Sequence, residues 1–162
     1  MQKHNFQKKT ALTAADSEIK MIEFALGDTL YAIDIASVRE IIRADIAIAK
    51  VPYAHESIEG AINLRGQIIP VINMAKLLSK ECALNQKDSR IIISAFSNIP
   101  CGFLVSAVYN IHRVPAKDIE PGSQLLHTQE VNTAGVAKIE GKILLVVDFE
   151  RLLAKILPEA RQ

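Results

Sequence analysis

Two stretches of this chain say nearly the same thing. GAINLRGQIIPVINMAKLL, from Gly60 to Leu78, aligns without a gap to GVAKIEGKILLVVDFERLL, from Gly135 to Leu153. The glycines coincide, and most other positions exchange apolar for apolar: Leu64 against Ile139, Ile69 against Leu144, Ile72 against Val147, Met74 against Phe149. A second pair of blocks recurs in the same order, YAIDIASVREI (Tyr31 to Ile41) and CGFLVSAVYNI (Cys101 to Ile111). Each half therefore reads as strand, short helical turn, loop, glycine, hairpin, strand and helix. A five-strand unit alone buries so little surface that it is only marginal, and a second copy packed against it buries more. The duplication predicts an all-β fold with short helices, built as two small barrels with a groove between them.

Local patterns agree. IKMIEFALGDTLYAIDI gives two β-type runs divided by Gly27-Asp28, a hairpin signal. Tyr31, Ile33 and Ile35 alternate with Ala32, Asp34 and Ala36, as in a half-buried strand. Ile68, Ile69, Val71 and Ile72 are too densely apolar for a sheet with one wet face and suit a closed barrel. Pro70 cannot donate to a ladder, so its strand should have an edge or a bulge there. NMAKLL turns to a short helix, ALNQKDS is a polar connector, and RIIISAF opens the second half as a central strand. Residues 1–18 read as a flexible tail, 19–157 as one domain of two intertwined barrel subdomains, and 158–162 as its C-terminal end.

Composition narrows the function. Across 162 residues the formal net charge is +1, and the aromatics are five Phe and three Tyr with no Trp. Neither a field that recruits nucleic acid nor a base-stacking platform follows from that. Cys82 and Cys101 fit no metal or redox spacing and read as incidental thiols in a reducing cytosol. The polar N-terminus lacks the apolar core of a signal peptide, and no apolar run approaches the ~20 residues of a membrane span; a cytoplasmic protein with no direct membrane insertion is expected. His4, His55, His112 and His127 lack ligand spacing and read as surface or loop residues. No nucleophile elbow, phosphate loop or dinucleotide motif is present. Asp34 and Asp148 read as turn or edge residues. With no metal, cofactor or catalytic set expected, the chain reads as a binding module.

The pattern NLRGQIIPVIN, with the opening IEFALGDTLYAIDIASVREII and the closing GVAKIEGKILLVVDFERLL, resembles the CheW family of bacterial chemotaxis coupling proteins. The likeness runs from Ile19 to about Leu157. HRVPAKDIEP and VDFERLL are similar to CheV proteins, in which such a domain precedes a phosphoacceptor receiver; the sequence ends at Gln162, so two readings stand, a stand-alone CheW-like protein and the CheW-like N-terminal domain of a CheV-type adaptor separated from its receiver. The resemblance implies two SH3-like five-stranded β-barrels and a non-enzymatic adaptor without cofactors. One surface would hold the cytoplasmic hairpin tip of a chemoreceptor, and the barrel ends would dock on the regulatory domain of the histidine kinase CheA. By position, the receptor surface would comprise Val38, Glu40, Gly60, Arg65 and Ile111. The kinase faces, which follow from the fold alone, would include Ile46, Ile48 and Val51 on one barrel and Val131 and Val136 on the other. Ser106 stands where the family commonly has Asp, and Glu56 where many relatives have Pro.

Arg65 carries the sharpest expectation. A turn arginine is usually just solvated, yet copy two has Asn110 and Glu140 where copy one has Glu40 and Arg65. An ion pair between Glu40 and Arg65 is thus not needed to fold such a barrel and is expected to serve one half only. Two competing readings stand beside the adaptor. One is an unrelated SH3- or OB-type module for peptide or nucleic acid, the other an enzyme whose residues are scattered beyond any motif.

Overall fold

The computed structural model describes residues 17–85, 87–121 and 133–156. In chain order the strands are β1 (Glu18–Leu26), β2 (Thr29–Asp34), β3 (Glu40–Arg43), β4 (Ile58–Leu64), β5 (Gln67–Asn73), β6 (Arg90–Phe96), β7 (Ile99–Val105), β8 (Ala107–Pro115), β9 (Ile119–Pro121), β10 (Thr133–Ile139) and β11 (Lys142–Val147). Two helices, α1 (Met74–Leu77) and α2 (Phe149–Ile156), follow β5 and β11. Each starts on a side-chain cap: Asn73 Oδ1 accepts from Lys76 N–H, and Asp148 Oδ1 from Arg151 N–H. None of the described helices is long and apolar enough to cross a membrane.

The strands form two sheets, ordered β8-β1-β2-β11-β10-β9 and β3-β6-β7-β5-β4. The repeat is reproduced pairing by pairing. Ile22 faces Ile33 and Ile111 in one sheet, as Ile92 faces Phe103 and Ile41 in the other. The hairpins β4–β5 and β10–β11 share their register, and each slips at its glycine: after Ile58 in one, after Thr133 in the other. At Gly60 an added Cβ would lie 2.2 Å from the Ala49 carbonyl oxygen, and at Gly135 2.9 Å from that of Glu120. Only glycine lets the neighbouring backbone approach so closely. The sheets differ in strand count because β9 is a true strand, whereas its counterpart in the second sheet is the single bridge Ala49↔Ala61.

The halves of the sequence are not the two sheets. Hairpin β1–β2 joins the sheet of β8–β11, and hairpin β6–β7 joins that of β3–β5. The crossings are parallel: β11 lies on β2 through Leu145↔Tyr31 and Val146↔Ala32, and β5 on β7 through Val71↔Gly102, Ile72↔Phe103 and Asn73↔Leu104. Each half thus completes its barrel with strands from the other.

Three apolar clusters result. One fills the first sheet's own interior (Met21, Ala32, Val114, Ala137, Leu144, Val146) and one the second's (Ile62, Ile69, Val71, Ile91, Ile93, Leu104). The largest lies between the sheets and takes the alternate residues Ile22, Ile33, Ile72, Ile92, Phe103 and Val147, with Phe149 and Leu152 of α2. Strands with both faces buried account for the dense apolar runs. Phe149 stacks on Phe103 at 4.0 Å between ring centroids and lies 6.0 Å from Phe24, so α2 pins the two sheets together.

Candidate functional site

Arg65-Gly66 forms the two-residue turn between β4 and β5. Both residues take positive φ, 52° and 83°, and Glu140-Gly141 repeats this with 50° and 79°. That conformation matches the right-handed twist of a hairpin. Asn63 Oδ1 accepts from Gly66 N–H at 2.9 Å and fixes the turn. From this perch the Arg65 guanidinium donates to Glu40 Oε1 on β3. Glu40 is set in place by its antiparallel partner Ile93 on β6. Arg39, Leu64, Gln67, Ile69 and Pro100 complete an open cleft around the pair. Asn110 and Glu140, the equivalents in the other copy, have no cation between them and cannot form such an ion pair.

The structure brings Glu40 and Arg65 together as the sequence proposes, and Val38 lies two residues ahead of Glu40. Val38 closes the 3-10 turn after β2, its N–H donating to Ile35 C=O, and packs half-buried against the inter-sheet core. Gly60 is elsewhere: five residues from Arg65 along β4, about 17 Å at the usual strand rise, buried beneath Ala49. Ile111 belongs to β8 of the other sheet, with 59% of its surface exposed. Among the residues assigned to the kinase faces, Ile46 and Ile48 pack half-buried on the second sheet's core, Val51 is exposed, and Val136 is half-buried opposite Glu120. Val131 lies outside the described residues.

Several features escape a reading of the sequence. Arg39 and Pro100 line the cleft although no motif marks them; Arg39 borders Glu40, the signal that could have found it. Ile68 and Ile143, equivalent positions just after the two turns, are both exposed. His112 is not a surface histidine: it lies in β8, largely buried, with Nε2 2.5 Å from Oε1 of buried Glu23. Ser106, in the place of the family's Asp, accepts from Gly27 N–H at 3.0 Å, so its hydroxyl still ties the β1–β2 hairpin down. Asp34 serves as a turn residue, accepting from Ala36 N–H. Burial pushes the Cys101 thiol up to about 12 from 9.0, keeping it protonated and inert.

The arrangement presents a small charged cleft on one barrel and exposed aliphatic and aromatic side chains elsewhere, which suits contact with other proteins. Comparison with known proteins agrees. The family model for the CheW-like domain matches residues 20–157. The chemotaxis protein CheW of Thermotoga maritima is 28% identical over 146 residues, covering 89% of this chain and 95% of its own length. A CheV-type chemotaxis protein of Helicobacter pylori is 32% identical over 158 residues, 90% of this chain but 50% of the relative. Among solved structures, the scaffolding protein CheW from Thermoanaerobacter tengcongensis superposes with a TM-score of 0.75 at 35% identity, covering 82% of this chain and 90% of that one. With the duplicated barrels, the shared turns and a family match over residues 20–157, this protein belongs to the CheW family.

Proposed function

We propose that the protein is a chemotaxis coupling adaptor, acting in the cytoplasm by contact and without turnover of its own, that links chemoreceptors to the histidine kinase CheA. The observation that carries this reading is the Arg65–Glu40 pair, present in one of two otherwise matching copies. A feature needed for folding would be kept in both. In this reading Arg65 and Glu40 form one wall of the receptor cleft, with Val38 beside it. Gly60 acts at a distance by keeping the β4 bulge seated on Ala49, and Ile111 contributes an apolar contact from the other sheet. Ile46, Ile48, Val51 and Val136 belong to the kinase-facing barrel ends, and Val131 is assigned with them. Faces on separate barrels allow one molecule to bridge two partners.

The test is reconstitution of CheA autophosphorylation with a receptor fragment and the purified chain. Wild type should change the kinase rate only when receptor is present. Arg65→Glu should abolish that effect by setting two carboxylates side by side, and Glu40→Arg combined with Arg65→Glu should restore part of it. A chain that leaves the kinase rate unchanged with receptor present would refute the adaptor reading.

A further inference from the structure

The cleft around Arg65 and Glu40 holds a third charged residue, which their pairing leaves over. Arg39 precedes β3, and its N–H donates to Ile93 C=O at 2.8 Å, while the next residue, Glu40, is the ladder partner of that same Ile93. Two residues thus stand against one, a β-bulge, which re-aims side chains. In a regular strand successive side chains point to opposite faces, and Arg39 would turn away from Glu40. Here Arg39, Glu40 and Ile93 all line one cleft, together with Arg65 from the β4–β5 turn.

The charges in that cleft do not balance. Glu40 is the one carboxylate among its described lining residues, and its Oε1 accepts from Arg65. Arg39 is exposed and has no acidic partner among the described residues. Leu64, Gln67, Ile69 and Pro100 complete the walls and bring no counter-charge. One guanidinium is therefore left uncompensated beside another that is already paired. The second copy is the control. The bulge itself recurs there, with Tyr109 and Asn110 against Glu23, but Tyr109, Asn110 and Glu140 stand in the places of Arg39, Glu40 and Arg65. Such a barrel folds without any of the three charges. A planar guanidinium with five donors matches a carboxylate, which it grips through two parallel hydrogen bonds. A protein partner supplies that anion as Asp or Glu.

We propose that Arg39 is a specificity-determining residue of the cleft, and that the segment docking there presents an Asp or Glu side chain to its guanidinium. That the segment belongs to a chemoreceptor rests on the function proposed above.

The experiment titrates a receptor cytoplasmic fragment into the full chain by calorimetry, at low and high salt, with wild type, Arg39→Ala, Arg39→Lys, Arg39→Glu and Arg65→Glu. An exposed residue without an ion pair is nearly neutral to replace, so the three Arg39 variants should melt within about 2 °C of wild type. Arg39→Ala should bind about tenfold more weakly, the scale of one interface hot spot. Arg39→Lys keeps the charge but not the fork and should fall between the two. Arg39→Glu should be weakest, because it meets the incoming carboxylate with its own. Added salt should weaken wild type more than Arg39→Ala, since it screens the pair. Changing each acidic residue of the fragment's tip to Arg in turn should find one that restores binding to Arg39→Glu. Equal salt dependence in wild type and Arg39→Ala would overturn the proposal, as would a set of reversals in which none restores binding. A melting drop beyond about 4 °C in Arg39→Lys would make the residue structural and overturn it too. Loss of binding in Arg65→Glu with none in Arg39→Glu would sink this proposal alone. Failure of wild type to bind the fragment would sink the receptor reading, and this proposal with it.

Discussion

Arginine is a poor choice for the turn it occupies, and that permits a clean separation of stability from function. At φ 52° Arg65 sits in the left-handed region, as Glu140 does at 50°. The conformation costs an ordinary L-residue ~1–2 kcal/mol, whereas asparagine tolerates it and is favoured before Gly in such turns. Arg65→Asn should regain ~0.5–1 kcal/mol of this strain. It forfeits the ion pair with Glu40, whose side chains are 71% and 32% exposed, and an exposed pair contributes at most ~1 kcal/mol. The two terms nearly cancel, so the melting temperature should stay within about 4 °C of wild type for a domain of this size. Glu140→Asn has no such pair to lose and should melt up to ~4 °C higher. Receptor-fragment titration by calorimetry should separate the variants the other way: Arg65→Asn weakens binding at least about fivefold, and Glu140→Asn leaves it unchanged. Equal binding losses in both would refute the reasoning, as would an Arg65→Asn chain melting more than ~8 °C low.

Three further outcomes follow from the packing. Gly60→Ala drives a methyl to within 2.2 Å of a backbone oxygen, against 2.9 Å for Gly135→Ala; urea denaturation should show a loss of ~2–3 kcal/mol for the first and clearly less for the second. Phe149→Ala removes the ring stacked 4.0 Å from Phe103 and should cost ~3–5 kcal/mol, a melting drop of about 10 °C by scanning calorimetry. Cys101 has its thiol pushed from 9.0 up to about 12. A raised folded value means that its contribution is whole below pH 9 and lost as pH rises from 9 towards 12. Part of the alkaline destabilisation measured by urea titration should therefore vanish in Cys101→Ala, and in the native protein a thiol reagent should label half-buried Cys82 well before Cys101.

Much of this molecule is legible in its residues because duplication makes each local pattern its own control. The hairpin turns at Gly27-Asp28, Arg65-Gly66 and Glu140-Gly141 and the alternation in β2 are short-range features with strong local chemistry. That the barrels intertwine is expected, but which hairpins the halves exchange is not legible in the residues. Leu145↔Tyr31 and Val71↔Gly102 join aliphatic strands whose patterns would suit either pairing. The strand β9 carries too few residues to announce itself. His112 sits among Tyr109, Asn110, Ile111 and Arg113, a run that resembles an exposed strand; its real partner, Glu23, is 89 positions away. The cleft was half legible: Glu40 and Arg65 stood out by differing from Asn110 and Glu140, whereas Pro100 enters it only through the path of β7.

The exchange of hairpins between halves also sets a timetable for synthesis. Hairpin β1–β2 is made before the other described strands, yet its partners β8 and β11 come much later, with Glu23 and His112 separated by 89 positions. At 5–20 residues per second the nascent hairpin waits roughly 5–20 s with both edges unpaired. Such edges template aggregation. Charged Glu18, Lys20 and Glu23 on β1 therefore have a second task during that interval, as gatekeepers of a strand that cannot yet be buried.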